Sequence, residues 1–213
     1  MNKQPPTPEN LLAKIPVITD ADRQRLWADR THACFFTGHR RIAAADLTRL
    51  NDALDRELEM LVWQGFDTFL CGAAMGFDLM AAAAVKRLKN IQPHVRLVYL
   101  IPCRNQDAKW NERNRRLYRA ALAHGEILLL SENYTDGCMQ ARNRMLVDNA
   151  AMGLTYYNPR VTVSGTGMTV RYAEKQNRPM VSLYGLLYPD APKPSHDDEQ
   201  LSLFDMSEID WED

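Results

Sequence analysis

The sequence predicts an α/β protein built on a doubly wound, mostly parallel sheet of about six strands. Short apolar runs alternate with longer amphipathic or alanine-rich segments along most of the 213 residues. These runs are nearly continuous, as in parallel strands that are buried on both faces. Loops of small residues follow three of them. Such alternation implies right-handed crossovers, and a chain of this length can bury a full core as one domain with tails.

Local patterns predict the individual elements. Thr19 and Asp20 are typical of a helix N-terminus and predict a short helix that reaches about Arg30. Leucines at steps of three and four predict an amphipathic helix over residues 47–62, which Gly65 ends. Further helices are predicted after residue 76, over residues 105–123 and 139–150, and after residue 169. Six apolar runs are predicted as strands: residues 33–36, 69–71, 95–101, 126–130, 154–157 and 180–184.

Three parts of the chain differ in composition. Residues 1–30 are predicted to form an N-terminal arm that packs on the body, residues 31–186 the α/β domain, and residues 187–213 a proline-bearing linker with a disordered acidic tail. The formal net charge is −1, but residues 197–213 hold eight acidic residues and no Lys or Arg. The rest of the chain therefore has 26 basic against 19 acidic residues. A mildly basic body fits a phosphorylated or polyanionic ligand.

Composition also argues against several classes of protein. No apolar run is long enough to span a bilayer, and the N-terminus lacks the apolar core of a signal peptide, so we expect a cytoplasmic protein without membrane contact. The four cysteines form no C-x-x-C pair and have no histidine at ligand spacing, so neither a metal site nor a disulfide is predicted. Cys34, Cys71 and Cys103 lie in or at the end of predicted strands, where reduced cysteine packs as a small apolar residue.

Three small-residue loops are the candidate functional segments. They cover residues 37–41, 72–78 and 164–169, at the carboxyl ends of predicted strands. In a doubly wound sheet, ligands bind outside these ends, where the strand order reverses. Backbone amides at a helix N-terminus bind phosphate in such positions. The loops therefore predict a phosphate or nucleotide pocket. The alternative is that each is an ordinary turn, with Asp78 as the N-cap of its helix.

The residues expected to bind the ligand lie in these loops and in the helix predicted over residues 139–150. Arg40 and Arg142 are expected to pair with phosphate, because arginine meets phosphate in bidentate geometry. The alternative for Arg142 is a pair with Asp148 or with helix carbonyls. His39 either contacts the ligand, or caps the following helix or fills a gap beside Arg40. The full set is Thr37, Gly38, His39, Arg40, Gly72, Ala73, Gly76, Asp78, Arg142, Asn143, Gly165, Thr166, Gly167 and Thr169.

The glycines carry a specific expectation. A side chain at Gly76 or Gly165 should block the approach of phosphate to the backbone amides, and it would strain any position with a positive φ. We therefore expect Gly76→Val to leave a folded protein that nucleotides no longer stabilise.

The loop motifs together resemble the signatures of a known superfamily. They are Thr37-Gly38-His39-Arg40, Gly72-Ala73-Ala74-Met75-Gly76-Phe77-Asp78 followed by alanines, and Gly165-Thr166-x-x-Thr169 with Ala173. Their order and spacing resemble the SLOG superfamily, which contains the DNA-processing protein A family, the LOG phosphoribohydrolases and the YpsA-like proteins. The resemblance covers about residues 33–185 and is closest to the YpsA-like branch. It implies a Rossmann-like fold that binds a nucleotide or nucleotide-derived ligand, whose identity the sequence leaves open.

Two functions follow from that implied pocket. The first is ligand binding alone, as a nucleotide sensor or accessory protein in DNA metabolism, with no certain cofactor. The second is an N-glycosidic hydrolase similar to the LOG enzymes. Those enzymes have a catalytic glutamate just after the Gly-Thr pair, where this chain has Gly167 and Met168. Asp78 or Glu174 would have to replace it, so catalytic residues stay unassigned.

A third function, contact with single-stranded DNA, depends on residues 105–123. Lys109, Arg113 and Arg116 are interleaved there with Trp110. Cationic side chains hold phosphates and aromatic rings stack bases, so the segment is a candidate nucleic-acid surface. The alternative is an ordinary solvated basic face. The oligomeric state stays open.

An apolar pentapeptide, Gln200-Leu201-Ser202-Leu203-Phe204, lies in the acidic tail. It matches the pentapeptide by which many bacterial replication and repair proteins resemble one another at their sliding-clamp docking site. Its three apolar side chains would enter apolar pockets, while ordering the segment costs free energy, so we expect micromolar or weaker affinity for the DNA polymerase sliding clamp. The alternative is that the peptide folds back onto the body or matches by chance.

Overall fold

A computed structural model describes residues 11–161 and 163–190. The predicted clamp-docking pentapeptide and the acidic run lie outside the described residues. Within the described part, no helix combines the length and apolar character needed to cross a membrane.

One parallel sheet organises the molecule. Its strands are β1 (Ala33–Gly38), β2 (Thr68–Cys71), β3 (Arg96–Ile101), β4 (Glu126–Leu129), β5 (Met152–Tyr156) and β6 (Met180–Ser182). They lie in the order β4-β3-β2-β1-β5-β6, and every neighbouring pair is parallel. The chain builds outward from β1 to β4 and then returns to place β5 on the other side of β1. The predicted doubly wound α/β fold is confirmed, and its strand order reverses between β1 and β5.

Helices cover both faces of this sheet. The described helices are α1 (Asp20–Asp29), α2 (Leu47–Trp63), α3 (Phe77–Lys89), α4 (Glu112–Leu122), α5 (Cys138–Asp148), α6 (Gly165–Lys175) and α7 (Leu183–Leu187). Helices α2, α3, α4 and α7 pack against one set of strand side chains, and α1, α5 and α6 pack against the alternate set. In β1, for example, Phe36 belongs to the first core and Phe35 to the second, as the two-residue period of a strand requires.

The N-terminal arm packs on the body as predicted, as far as it is described. Helix α1 begins with a capping box, in which Thr19 and Asp22 each accept a hydrogen bond from the backbone N–H of the other. Just before it, Val17 pairs in parallel with Leu129, and the backbone N–H of Ile18 donates to the Leu129 carbonyl at 2.7 Å. The arm therefore covers the edge of the sheet at β4, where an exposed strand would offer unpaired backbone groups to another chain.

Some predicted boundaries were wrong. The helix predicted over residues 105–123 begins only at Glu112, where the Asn111 side chain caps it by accepting a hydrogen bond from Asn114 at 2.9 Å. Residues 104–110 form turns instead. The last strand ends at Ser182, and the next residues form α7. All four cysteines are buried with free thiols, as expected of cysteines that pack as apolar residues.

Candidate functional site

A cleft of about 790 Å³ opens at the carboxyl ends of β1 and β5, where the strand order reverses. All three predicted small-residue loops contribute to it, together with one side of α5. Ten of the fourteen predicted site residues line it: Thr37, Gly38, His39, Arg40, Asp78, Arg142, Asn143, Gly165, Thr166 and Thr169. The other four, Gly72, Ala73, Gly76 and Gly167, are not part of the lining. The loops therefore do converge on one edge of the sheet, as the sequence predicted.

The N-terminus of α6 forms one wall of the cleft. Ser164 caps the helix, and its Oγ accepts a hydrogen bond from the Gly167 N–H at 3.0 Å. Gly165 and Thr166 follow in the first turn, so this segment is the start of a helix rather than a loop before it. A Cβ on Gly165 would have no neighbour within 4 Å, so the backbone there is open. The positive end of the helix dipole and the first amides are available to an anion.

The loop after β2 has a different role. Gly76, with φ at +81°, is the N-cap of α3, and the interpretation of Asp78 as that cap was wrong. The Asp78 carboxylate instead accepts a hydrogen bond from the Ala74 N–H at 3.2 Å. A Cβ on Gly76 would lie 2.1 Å from the Arg40 carbonyl oxygen. Gly76 thus lets the loops after β1 and β2 touch, and a Gly76→Val protein is not expected to stay well folded.

Arg142 lies in the wall of the cleft and links α5 to the loop after β2 and, through Asn143, to α6. Its side chain is buried, donates through Nη1 to the Gly72 carbonyl and donates through Nε to Asn143 Oδ1 at 2.7 Å. The Asn143 amide donates to Thr169 Oγ1, which donates to the Gly165 carbonyl, both at 2.9 Å. The alternative pair with Asp148 was wrong, since Arg142 donates to Gly72 and Asn143, whereas the Asp148 carboxylate accepts a hydrogen bond from the hydroxyl of Tyr172. Two predicted ligand contacts, Asn143 and Thr169, therefore position α6 against α5.

Three charged groups share this part of the cleft. Burial raises the pKa of Asp78 to about 6, although the charges of Arg142 and Arg40 and the Ala74 N–H act in the opposite direction. Partial burial lowers the pKa of the Arg40 guanidinium, and repulsion from Arg142 lowers it further. Because burial disfavours the ionised form of Asp78, Arg40 and Arg142 leave a net positive charge here, which an anionic ligand would neutralise.

His39 holds the loops after β1 and β5 together. The ring Nε2 accepts a hydrogen bond from the Asn158 N–H at 2.8 Å, and the backbone N–H of His39 donates to the Tyr156 carbonyl at 3.1 Å. Burial lowers the pKa of the imidazole. An Nε2 that accepts a hydrogen bond carries no proton, so the geometry favours the neutral ring as well. A contact between His39 and a ligand stays a prediction, but the loop-to-loop bond was not foreseen.

Several lining residues are absent from the predicted ligand-binding set, although Arg41 and Ser164 belong to two of the predicted loops. They are Arg41, Asp46, Gln140, Arg144, Tyr156, Asn158, Ser164, Tyr172, Tyr184 and Tyr188. The capping role of Ser164 could have been predicted, because serine before a helical segment is a common N-cap. The tyrosines come from β5, α6 and the region of α7 and carry no local motif, so only the fold brings them together. Glu174, one of the candidate catalytic carboxylates, is not part of the lining.

A family model decides the classification. The model of the YspA SLOG family matches residues 36–187, which is more than half of the chain. The chain belongs to this family. The matched range contains all three loop motifs, so the predicted resemblance to the YpsA-like branch of the SLOG superfamily is confirmed.

The chain is also similar to several relatives in sequence and to solved structures in fold. The UPF0398 protein of Halalkalibacterium halodurans is 28% identical over 115 residues, which are 53% of this chain and 61% of that protein, so the match spans about three fifths of its length. The SPbeta prophage-derived protein YoqJ of Bacillus subtilis is 26% identical over 143 residues, 61% of this chain and 82% of that protein. DNA processing protein A from Helicobacter pylori has a TM-score of 0.51 at 21% identity, over 84% of this chain and 77% of that chain. Its counterpart from Streptococcus pneumoniae has a TM-score of 0.52 at 18% identity, over 84% and 63%. Identities this low show the fold alone.

Proposed function

We propose that the cleft binds a nucleotide or a nucleotide-derived ligand, and that the protein acts as a sensor or accessory protein in DNA metabolism. The observation that carries this proposal is the meeting of the open N-terminus of α6 with Arg40 and Arg142 at the point where the strand order reverses. Phosphate is the ligand group that this combination fits, since helix amides and guanidinium groups both favour it.

Charge in the cleft supports an anion over a neutral ligand. Four arginines, Arg40, Arg41, Arg142 and Arg144, line it against two aspartates, Asp46 and Asp78. Of the two carboxylates, Asp46 is occupied by tyrosine hydroxyls, and burial disfavours the charge on Asp78. The Helicobacter pylori structure is described as showing a single-stranded DNA binding mode, and this supports a role close to DNA.

Arg40→Ala should weaken nucleotide binding by one to two orders of magnitude, because a lost charge-assisted contact costs about 1.5–3 kcal/mol. Arg40 lines the cleft and has a larger exposed fraction than the buried Arg142, so its removal should disturb the fold less than removal of Arg142 would. Isothermal titration calorimetry with AMP, GMP, CMP, UMP and ADP-ribose would measure the effect. Arg56→Ala is the matched control, because Arg56 is an exposed arginine on α2 outside the cleft lining.

Two outcomes would contradict this proposal. The first is that no member of the panel binds the wild-type protein. The second is that Arg40→Ala and Arg56→Ala bind alike. A single-stranded oligonucleotide in the same titrations, with Arg113→Ala and Arg116→Ala as added variants, distinguishes a small-molecule cleft from a DNA surface on α4. Weakening by the α4 variants alone would favour single-stranded DNA as the ligand.

Hydrolysis of an N-glycosidic bond is the second candidate, and one observation favours it. Asp78 lines the cleft with its pKa raised to about 6, which is the range of a carboxylic acid that exchanges a proton near neutral pH. In such a hydrolase, Asp78 would be the general acid that donates a proton to the departing base. Release of free base or ribose phosphate during the titrations would identify turnover, and its absence would leave binding as the function.

Docking of the tail on the sliding clamp is a separate part of the proposal. A peptide of residues 195–213 should bind purified clamp with a Kd in the micromolar range or weaker, because burial of three apolar side chains is partly offset by the ordering of the peptide. Leu203→Ala with Phe204→Ala should remove this binding in the full chain while nucleotide affinity stays unchanged. Fluorescence anisotropy of the labelled peptide would test it. No binding at high micromolar clamp would discard the docking.

A further inference from the structure

A row of three tyrosine rings runs along the cleft on the side of β5 and α7. Tyr156 meets Tyr184 with ring centroids 5.7 Å apart, and Tyr184 meets Tyr188 at 4.8 Å. All three line the same cleft as Arg40 and Gly165. The row is graded in exposure, from Tyr156, which is 4% exposed, to Tyr188, which is 36% exposed. One cleft thus contains an arginine-lined half and an aromatic half.

Asp46 fixes the two ends of this row. It is a buried carboxylate, 2% exposed, and its two oxygens accept different hydroxyls. Tyr156 donates to Oδ2 at 2.6 Å and Tyr188 donates to Oδ1 at 2.5 Å. Arg49 adds to the anchoring, because its guanidinium donates to the Leu187 carbonyl at 2.7 Å and lies 5.7 Å from the centre of the Tyr188 ring.

The anchoring has a chemical consequence. Because the hydroxyl protons of Tyr156 and Tyr188 are used by Asp46, neither hydroxyl is a free donor to a ligand. Tyr156 is also buried and stacks on Phe77 with ring centroids 6.0 Å apart, so the aromatic surface in the cleft comes from Tyr184 and Tyr188. Rings whose orientation is fixed in advance lose little entropy when a planar group joins them. Aromatic rows of this kind hold nucleobases by stacking, with little preference among the four bases.

We propose that Tyr184 and Tyr188 form a subsite for the base of the ligand. Tyr156 packs behind Tyr184, and Asp46 is the residue that positions Tyr156 and Tyr188. This inference rests on the proposed function, since it places the base opposite the phosphate held at α6 and Arg40. Tyr188 lies one residue beyond the range that the family model matches. The aromatic half therefore includes a side chain that the family pattern does not cover.

Comparison of AMP with ribose 5-phosphate measures the contribution of the base, because the two share the ribose and the phosphate. Calorimetry on the wild-type protein should show AMP binding roughly tenfold or more tightly, as expected for one stacked base. GMP, CMP and UMP should share this advantage. Tyr184→Leu should bring AMP down to the affinity of ribose 5-phosphate and leave the latter unchanged. Tyr184→Phe, the matched control, keeps the ring and should keep the preference.

Each outcome separates the subsite from the function on which it rests. If AMP and ribose 5-phosphate bind wild-type protein equally, nucleotide-phosphate binding stands and the base subsite is overturned. If Tyr184→Leu melts at the wild-type temperature and retains the preference for AMP, the row does not hold the base. If Tyr184→Leu melts at a lower temperature, Tyr188→Phe is the variant that tests the role of Asp46. This variant keeps the aromatic ring but loses the hydrogen bond from the Tyr188 hydroxyl to Asp46. A modest loss of AMP affinity with unchanged ribose 5-phosphate affinity would then support a positioning role for Asp46. Binding of neither probe by wild-type protein contradicts the proposed function and the subsite together.

Discussion

Gly76→Ala is expected to destabilise the folded protein by about 2–4 kcal/mol. Two costs add. Gly76 has φ at +81° and ψ at −119°, a conformation that side-chain-bearing residues rarely adopt, at a cost of about 1–3 kcal/mol. The added Cβ would also lie 2.1 Å from the carbonyl oxygen of Arg40, so the loops after β1 and β2 would have to move apart. Thermal unfolding should show a midpoint lower by roughly 5–15 °C.

Gly165→Ala is the matched control for this substitution. Gly165 is the first residue of α6, and a Cβ there would have no neighbour within 4 Å. The midpoint of unfolding should therefore stay within about 2 °C of the wild type, while nucleotide affinity falls at least tenfold, because the methyl group stands in front of the first amides of α6. A Gly76→Ala protein as stable as wild type would refute the close loop contact. Unchanged nucleotide affinity in Gly165→Ala would remove α6 from the anion site.

The fold could be predicted from the sequence because its signals are local. Apolar runs such as residues 33–36 lie in the buried centre of a parallel sheet, and leucines from Leu47 onward repeat with the helical period, so propensity and burial agree. The prediction of a helix start failed where a capping residue, rather than composition, sets the boundary. Residues 105–111 have a composition compatible with helix, but the helix starts only at Glu112, after the Asn111 cap. A capping side chain competes with the preceding backbone for the same N–H groups, which periodicity does not reveal.

The sequence predicted which loops form the site but not the hydrogen bonds that connect them. Thr37–Arg40 and the Gly165 segment are short motifs next to strands, so the topology alone brings them to the cleft. The bond from Arg142 to the Gly72 carbonyl joins residues 70 positions apart, and the bond from Tyr156 to Asp46 joins residues 110 positions apart. Neither leaves a pattern in the sequence, because each depends on which strands become neighbours. Gly72, a predicted ligand contact, positions Arg142 by accepting a hydrogen bond through its carbonyl oxygen.

Asp78→Asn is expected to stabilise the ligand-free protein above neutral pH, and the gain should disappear in acid. Burial raises the pKa of Asp78 from its ordinary value of 3.8 to about 6. Between these two values the folded state binds a proton that the unfolded state does not, so the carboxyl favours folding at pH 4 and loses that advantage as the pH rises towards 6. Above pH 6 the folded protein carries a buried charge that costs on the order of 3 kcal/mol relative to water.

Asparagine removes that charge while its side-chain oxygen can still accept the hydrogen bond from Ala74. Denaturant unfolding at pH 8, 6 and 4 should therefore show the largest gain for Asp78→Asn at pH 8 and almost none at pH 4. Asp46→Asn is the contrasting variant, because Asp46 accepts hydrogen bonds from two tyrosine hydroxyls through both oxygens, and an amide offers only one oxygen. It should lose about 1–3 kcal/mol at pH 8. Two results would contradict this prediction: an effect of Asp78→Asn that does not change with pH, or a loss of stability at pH 8 equal to that of Asp46→Asn. Either would show that the two arginines stabilise the Asp78 carboxylate more than burial destabilises it.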